Sequence, residues 1–516
     1  MHNVSTASSF KDFLFKNREN KRVLWLAAIA IVVQFTLFKY FYPYASYIHG
    51  DSFSYIRAAA QNLDINTYMI GYSRFLRFFG TITSSDMALV AFQYLFIQGA
   101  ALFFLFTLFF FYKPGNIAKA ILLVFMVFNP LFLHIANLVS SDCLFAGLSI
   151  IWFSLLLWLI HRPNKHVIIY HSIVLFLAFT IRYNALIYPF ISIIAFALSR
   201  LPLSQKIIGI ASGFFLCALF FTYTGYKYQK LTGYWQYSPF SGWQFTNNAM
   251  YAYRYVDSAH RKPVPDKFKV LDNMIRQYFD STRDLKKYPV ERLQASTVYM
   301  WEPKLTLYKY RNMLFKKDTA AIELKKWASM GPFYASYGLF LIKQYPGYYL
   351  KHFIWPNANK YYAPPVEFLE AYNSGANFVT PETQKWFGYD SQIIKTRLKS
   401  KKVWVLDFYP ILSGVINALM LLSIFCYTSL KGWRYNKQIF KLFVVGGTLW
   451  VLNAAFTIFA SSAALRFQTF PILLTTTVTT IFVDWMVQLM GHLKREAEKP
   501  IRSDYETDEM LQHPVF

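Results

Sequence analysis

Apolar runs of membrane-spanning length recur along this chain, and they restrict its fold more than any other feature. They fall near 23–42, 86–112, 117–133, 142–160, 167–181, 186–198, 207–225, 404–430, 439–460 and 468–490. A bilayer's hydrocarbon takes roughly 20 residues of helix. Lipid satisfies no backbone polar group, so such runs fold as helices or as closed barrels. Runs this long and this continuous read as helices. Composition agrees: charged residues make up 16% of the chain, against about 25% in an ordinary soluble domain. The expectation is an all-α polytopic membrane protein of about ten transmembrane helices. The first run is too long for a signal-peptide core and no small-residue cleavage site follows it, so it reads as an uncleaved span.

The formal charge of +26 is carried by loops and by one long segment. Short loops on one side hold Lys11, Lys16, Arg18, Lys21 and Arg22, then Lys113 and Lys119, and later Lys431, Arg434, Lys437 and Lys441. Basic short loops stay in the cytoplasm. That rule places 1–22 and the tail 491–516 in the cytoplasm of a multi-pass plasma (inner) membrane protein. The loop 44–85 and the segment 226–403 then face outward. The membrane part divides into an N-terminal module, 23–225, and a C-terminal module, 404–490. The segment 226–403 holds 28 Lys/Arg and 13 Asp/Glu and is rich in Tyr and Trp. It reads as a mainly α outward domain, because long domains translocate regardless of charge. Helices are expected over 267–279 and 319–335. The stretch 334–355, broken at Pro346, reads either as an interfacial helix pair on the outer leaflet or as a helix buried in the domain core. The cysteines, Cys143, Cys217 and Cys426, all lie in apolar runs and imply no disulfide framework.

Charge at the end of a span is costly, and that makes each such residue a functional candidate. Asp51, Asp142, Arg182, Arg466 and Asp407 all fall at the outward ends of spans in this topology. Two acids and two arginines converging there suit an anionic ligand together with a general base or a metal. Each has a plainer reading. Asp51 and Asp142 are also placed to cap helices, and the two arginines to snorkel to headgroups. Asp407 reads as a cap or an ion-pair partner, and Asp86, after Ser84-Ser85, as a cap. No Walker loop, Gly-x-Gly-x-x-Gly, His-Glu-x-x-His or Gly-x-Ser-x-Gly occurs. An ATP-driven pump is therefore not expected, and a chain this apolar is not expected to be a soluble nucleic-acid binder.

Around Asp51 the sequence resembles a family. Gly50-Asp51-Ser52-Phe53-Ser54-Tyr55-Ile56-Arg57, followed by Gly71-Tyr72-Ser73-Arg74, resembles the first outward loop of the GT-C glycosyltransferases. Protein O-mannosyltransferases and lipid A aminoarabinose transferases belong to that superfamily. Ser141-Asp142-Cys143, Arg182-Tyr183-Asn184-Ala185 before Pro189, and Arg466-Phe467 before Pro471 are similar to later positions of the same family. The resemblance implies a GT-C-like fold and an inverting transfer of sugar from a polyprenyl-phosphate carrier to an acceptor hydroxyl, in building the cell envelope. It implies Asp51 as catalytic base, and Arg57, Arg182 and Arg466 as ligands of the donor phosphate. Tyr55 and Tyr183 become substrate-binding residues, and Asp142 a ligand for Mg2+ or Mn2+. The partners are then the lipid-linked donor, a lipid, glycan or protein acceptor, and the membrane, with no nucleic acid. The chain departs from the family in two places. It has Asp51-Ser52 where most mannosyltransferases have two adjacent acids, and Met69-Ile70 where aminoarabinose enzymes have Glu-Lys. The competing reading is a transporter or flippase of an anionic lipid or solute, which repeat symmetry and broken midplane helices would mark. Neither is evident. A third reading is a non-catalytic scaffold in envelope assembly.

Overall fold

The computed structural model describes residues 9–497; most of the expected cytoplasmic tail, and residues 1–8, lie outside them. Among the described residues, eight helices are long and apolar enough to cross a membrane: Arg18–Phe41, Asp86–Tyr112, Asn116–Ala136, Ser141–His161, Leu203–Thr232, Trp404–Ser429, Lys437–Ala460 and Leu465–Arg495. Two shorter apolar helices, Lys165–Ile181 and Tyr183–Leu198, account for the other two expected runs. Among the described residues there is no strand, only isolated bridges such as Ser46 to Leu138. The chain is thus an all-α protein with the helices of a multi-pass membrane protein.

The sequence explains where these helices begin and bend. Ser85, Ser140 and Asn164 each accept a hydrogen bond from a first-turn N–H of the helix that follows, satisfying donors that a helix start leaves orphaned. Ser85, not Asp86, caps the Asp86–Tyr112 helix. With that role taken, Asp86 turns inward and its carboxylate accepts the Ala45 N–H at 2.7 Å. Pro130 interrupts the third long run, and Asn129 caps the turn that results. The break at Arg182 is sharper. Arg182 is extended, at φ −148° and ψ 146°, and a 3-10 turn, Tyr183–Ile187, leads into a helix with Pro189 in its first turn. Proline has no N–H for the preceding turn, so the chain restarts there instead of running on. The corner leaves Arg182 at the end of a helix instead of inside one.

The segment 44–50, which leads to Asp51, is held from several sides. Asn373 donates its N–H to Ser46 Oγ at 2.9 Å and accepts the Tyr47 N–H at 3.2 Å. Ser46 also bonds Asn137 and Val139 through its backbone. The Pro381–Phe387 helix packs on the Asp51–Ala60 helix. Gly71 opens the next helix against Thr180, whose carbonyl oxygen would lie 2.5 Å from an added Cβ. That approach ties the loop to the end of Lys165–Ile181.

The 226–403 segment begins late, because the Leu203–Thr232 helix runs past residue 225 and ends at Gly233, φ 82°. Its core is the pair Pro239–Tyr253 and Gly331–Gln344. Their backbones touch: a Cβ on Gly242 would lie 2.0 Å from the Gly331 carbonyl oxygen, and one on Gly338 2.5 Å from the Thr246 nitrogen. Trp243, Tyr334 and Tyr337 are fully buried between the two helices and their neighbours. The interfacial alternative for 334–355 is therefore overturned in its first half, because Gly331–Gln344 is the domain's core helix. The expected 319–335 helix divides into Glu323–Ser329 and Gly331–Gln344 ahead of Pro332, while 267–279 is found as Lys269–Ser281. Beyond Pro346 the chain reaches the Trp355–Tyr362 helix, which packs on Lys437–Ala460. There the Asn357 amide donates to the carbonyls of Thr457, Ile458 and Ser461 at 3.1, 2.9 and 2.6 Å. One side chain thus satisfies the carbonyl end of a long helix and joins the domain to the bundle.

Candidate functional site

Four helix ends meet at one cluster of charge. Asp51 is the first residue of its helix, after Gly50 at φ 92°, and Gly50 supplies no side-chain cap. Asp142 lies in the first turn of Ser141–His161, whose positive N-terminal dipole favours an anion there. Arg182 stands at the corner after Lys165–Ile181. Arg466 lies in a 3-10 turn, Leu465–Gln468, just before the last long helix.

Their side chains form one chain of ion pairs. Arg466 reaches Asp51 Oδ2 at 2.7 Å with one terminal nitrogen and Asp142 Oδ2 at 3.1 Å with the other. Arg182 pairs with Asp142 Oδ1. Ser140 Oγ donates to Asp142 Oδ2 at 2.6 Å, and the Tyr68 hydroxyl donates to Asp51 Oδ1 at 2.6 Å. Burial, and next the Asp51 charge, push the Tyr68 phenol well above its ordinary range. It therefore stays a donor to Asp51. Phe368 and Phe467 hold the Arg466 guanidinium at 4.6 and 4.3 Å from their ring centres. Arg466 is 5% exposed, yet its Nε has no hydrogen-bond partner. A buried donor left open costs free energy, and a ligand atom can recover it.

The cluster faces a cavity of about 1200 Å³. Asp51, Arg182 and Arg466 line one wall. Tyr68, Phe240 and Trp301 form an aromatic wall beside it, with Tyr68 and Trp301 ring centres 5.7 Å apart. Phe221, of the Leu203–Thr232 helix, and Trp235 also line the cavity and are themselves partly exposed. The lining is therefore both charged and apolar.

Most of the expected site residues come together here. Asp51 contacts Arg466 directly, at 2.7 Å, and Arg182 joins them through Asp142. Tyr55 lines the cavity and shares a 3.1 Å hydrogen bond with Ser141 Oγ. Tyr183 lines it too, stacked on Phe240 at 5.9 Å. Arg57 does not join them. It sits six residues after Asp51, about 120° around the helix, and faces Glu382 at 3.8 Å with 58% of its side chain exposed. Asp407 lies apart as well, 3.7 Å from Lys402.

Asp142 does not suit a divalent ion. Both of its oxygens already accept from Arg182, Arg466 and Ser140, and two guanidiniums fill the space a metal would take. Among the described residues no group of three or more His, Cys, Asp or Glu is placed to hold a metal. Mg2+ and Mn2+ drop out of the reading on that donor set.

Two cavity residues had no signal in the sequence. Tyr68 is one aromatic among many in its loop. Glu367 follows Pro364-Pro365, which reads only as a turn. Glu367 lines the cavity with its Oε2 buried and without a hydrogen-bond partner, and burial raises its carboxyl above the ordinary range. In comparisons with known proteins, no family model, curated protein or solved structure matches this chain.

Proposed function

We propose that this chain is a GT-C-type inverting glycosyltransferase of a plasma (inner) membrane, with both termini cytoplasmic. On this reading it moves a sugar from a polyprenyl-phosphate carrier to an acceptor hydroxyl on the outer side. The supporting observation is the direct Asp51–Arg466 contact on the wall of a large cavity lined by both charged and apolar residues. A lipid phosphate carries both characters. Its chain suits the apolar lining at Phe221 and Trp235, and its phosphate suits two guanidiniums, which bind phosphate in a fixed fork.

In the proposed reaction the acceptor oxygen attacks the anomeric carbon from the face opposite the phosphate. The bond from that carbon to the phosphate oxygen breaks, and its electron pair leaves with the lipid phosphate. The acceptor's proton passes to Asp51. Arg182 and Arg466 balance the charge that grows on the phosphate, the kind of preorganised stabilisation that lowers such barriers most. Attack opposite the leaving group inverts the anomeric centre. Tyr68 holds Asp51 in place throughout. Tyr55 and Tyr183 contact the substrates along the cavity wall. The acceptor is a lipid, a glycan or a protein.

Asp51→Asn tests the proposal. Transfer should fall about 10²–10⁴-fold, the contribution of a general base, while the protein still purifies as a folded monodisperse species. Near-normal transfer by the variant would return Asp51 to a structural role.

A further inference from the structure

Charge within the cluster sums to zero: Asp51 and Asp142 match Arg182 and Arg466. A phosphate cannot enter a neutral, buried cluster as an additional charge without leaving one anion unpaired, and an unpaired buried charge is costly. One carboxylate must give up its arginine. The two are not equally bound. Asp142 is 1% exposed at its side chain, holds both arginines and Ser140, and sits on a helix N-terminus. Asp51 is 19% exposed at its side chain, lines the cavity, and is held by Arg466 and by Tyr68 alone. The Arg466 Nε is buried and has no hydrogen-bond partner, so a guanidinium that turns toward an incoming oxygen gives up no bond at that nitrogen.

We infer that Arg466 is an exchange site: a lipid phosphate displaces Asp51 from it, and this displacement turns Asp51 into the proton acceptor. This rests on the donor reading proposed above and deepens it. In the free protein Asp51 neutralises Arg466 and keeps the buried guanidinium paired. Donor binding moves Arg466 onto the phosphate and leaves Asp51 with the Tyr68 hydroxyl. A carboxylate relieved of its cation takes a proton more readily. The acceptor therefore meets an active base only after the donor is seated, so substrates bind in a fixed order. Asp142 is a positioning residue: it retains both arginines in each state.

The inference makes an unusual demand, that the residue needed for transfer opposes donor binding. Purified full-length protein in detergent, titrated with farnesyl phosphate, farnesol and inorganic phosphate, tests it by calorimetry or thermal shift. Wild type should prefer farnesyl phosphate over farnesol and over inorganic phosphate. Asp51→Asn, which removes the competing charge, should bind farnesyl phosphate at least about tenfold more tightly. Asp51→Glu, which keeps the charge, should show no such gain. Asp51→Ser replaces the amide variant if that one does not fold. Equal or weaker binding by the neutral variants, with wild type still selecting farnesyl phosphate, would overturn the exchange and leave the donor reading standing. Wild type binding farnesol as well as farnesyl phosphate would overturn the donor reading, and the exchange with it. Inorganic phosphate binding as tightly as farnesyl phosphate would overturn the lipid source.

Discussion

The 226–403 domain holds a second buried ion cluster, and its chemistry is close to that of the cavity cluster. Arg254 pairs with Glu291 at 2.8 Å, with side chains only 5% and 10% exposed. Tyr278 and Tyr299 both donate to Glu291, and Arg254 also bonds Thr282. Burial pushes both phenols above their ordinary range, so they remain donors. The difference lies in the surroundings. Arg254 and Glu291 do not line the 1200 Å³ cavity, and their cluster joins neighbouring elements of one domain. The Asp51–Asp142–Arg182–Arg466 cluster gathers four distant helix ends, faces a large cavity and leaves the buried Arg466 Nε without a partner. Burial of charge does not distinguish a site from a structural brace. The large cavity that Asp51, Arg182 and Arg466 line is what sets their cluster apart.

Stability measurements can break that comparison. Glu291→Ala strands Arg254 in the domain interior and should cost about 3–5 kcal/mol, the usual penalty for halving a buried pair. Asp51→Asn should cost no more than about 1–2 kcal/mol, since Arg466 keeps Asp142 and the amide still accepts from Tyr68. Unfolding followed by intrinsic fluorescence in detergent would compare the two. Equal losses would mean that both clusters are braces.

Arg182→Gln sharpens the same contrast through activity. Asp142 retains Arg466 and Ser140, so the fold persists. Loss of one charged hydrogen bond to the donor phosphate, about 1.5–3 kcal/mol, should lower kcat/KM for the donor roughly 10- to 150-fold. An unchanged kcat/KM would place Arg182 among the braces.

Glu367 gives a smaller effect of opposite sign. Burial raises its folded pKa above the ordinary range of a glutamate carboxyl. Such a carboxyl favours the folded state most below the unfolded pKa, and that advantage is lost as pH rises through the raised folded pKa. At neutral pH the charged form therefore opposes folding. Glu367→Gln should raise stability by up to about 1 kcal/mol at pH 7 and flatten the loss between pH 4.5 and neutrality. A destabilised variant would show that Glu367 is a structural partner. The smallest effect belongs to Arg57→Gln, which should change stability and donor use by less than about 0.5 kcal/mol, as exposed ion pairs do. A substantial loss of donor use would return Arg57 to the site.

The legibility of each feature follows its physics. Apolar runs declare themselves by length, so 86–112 and the neighbouring spans are readable to within a few residues. Charge at span ends is expensive enough to flag Asp51, Asp142, Arg182 and Arg466 before any geometry is known. Arg57 carries charge too, but helical phase turns it away from its neighbours. Tyr68 and Glu367 carry no comparable signal, since an aromatic in a loop and an acid in a basic domain are ordinary residues until packing encloses them. The 331–344 helix is apolar and aromatic on most faces, and a leaflet surface and a domain core select the same composition. Only the close backbone contacts at Gly242 and Gly338 decide between them.

The account turns on what the cavity receives, and one measurement addresses that directly. Purified full-length protein in detergent would be given radiolabelled sugar on a short polyprenyl phosphate, or the same sugar on a nucleotide, with a membrane extract as the source of acceptor. The account predicts transfer from the lipid-linked sugar alone, abolished by Asp51→Asn. Transfer from the nucleotide sugar without lipid carrier, or transfer from neither, would contradict it.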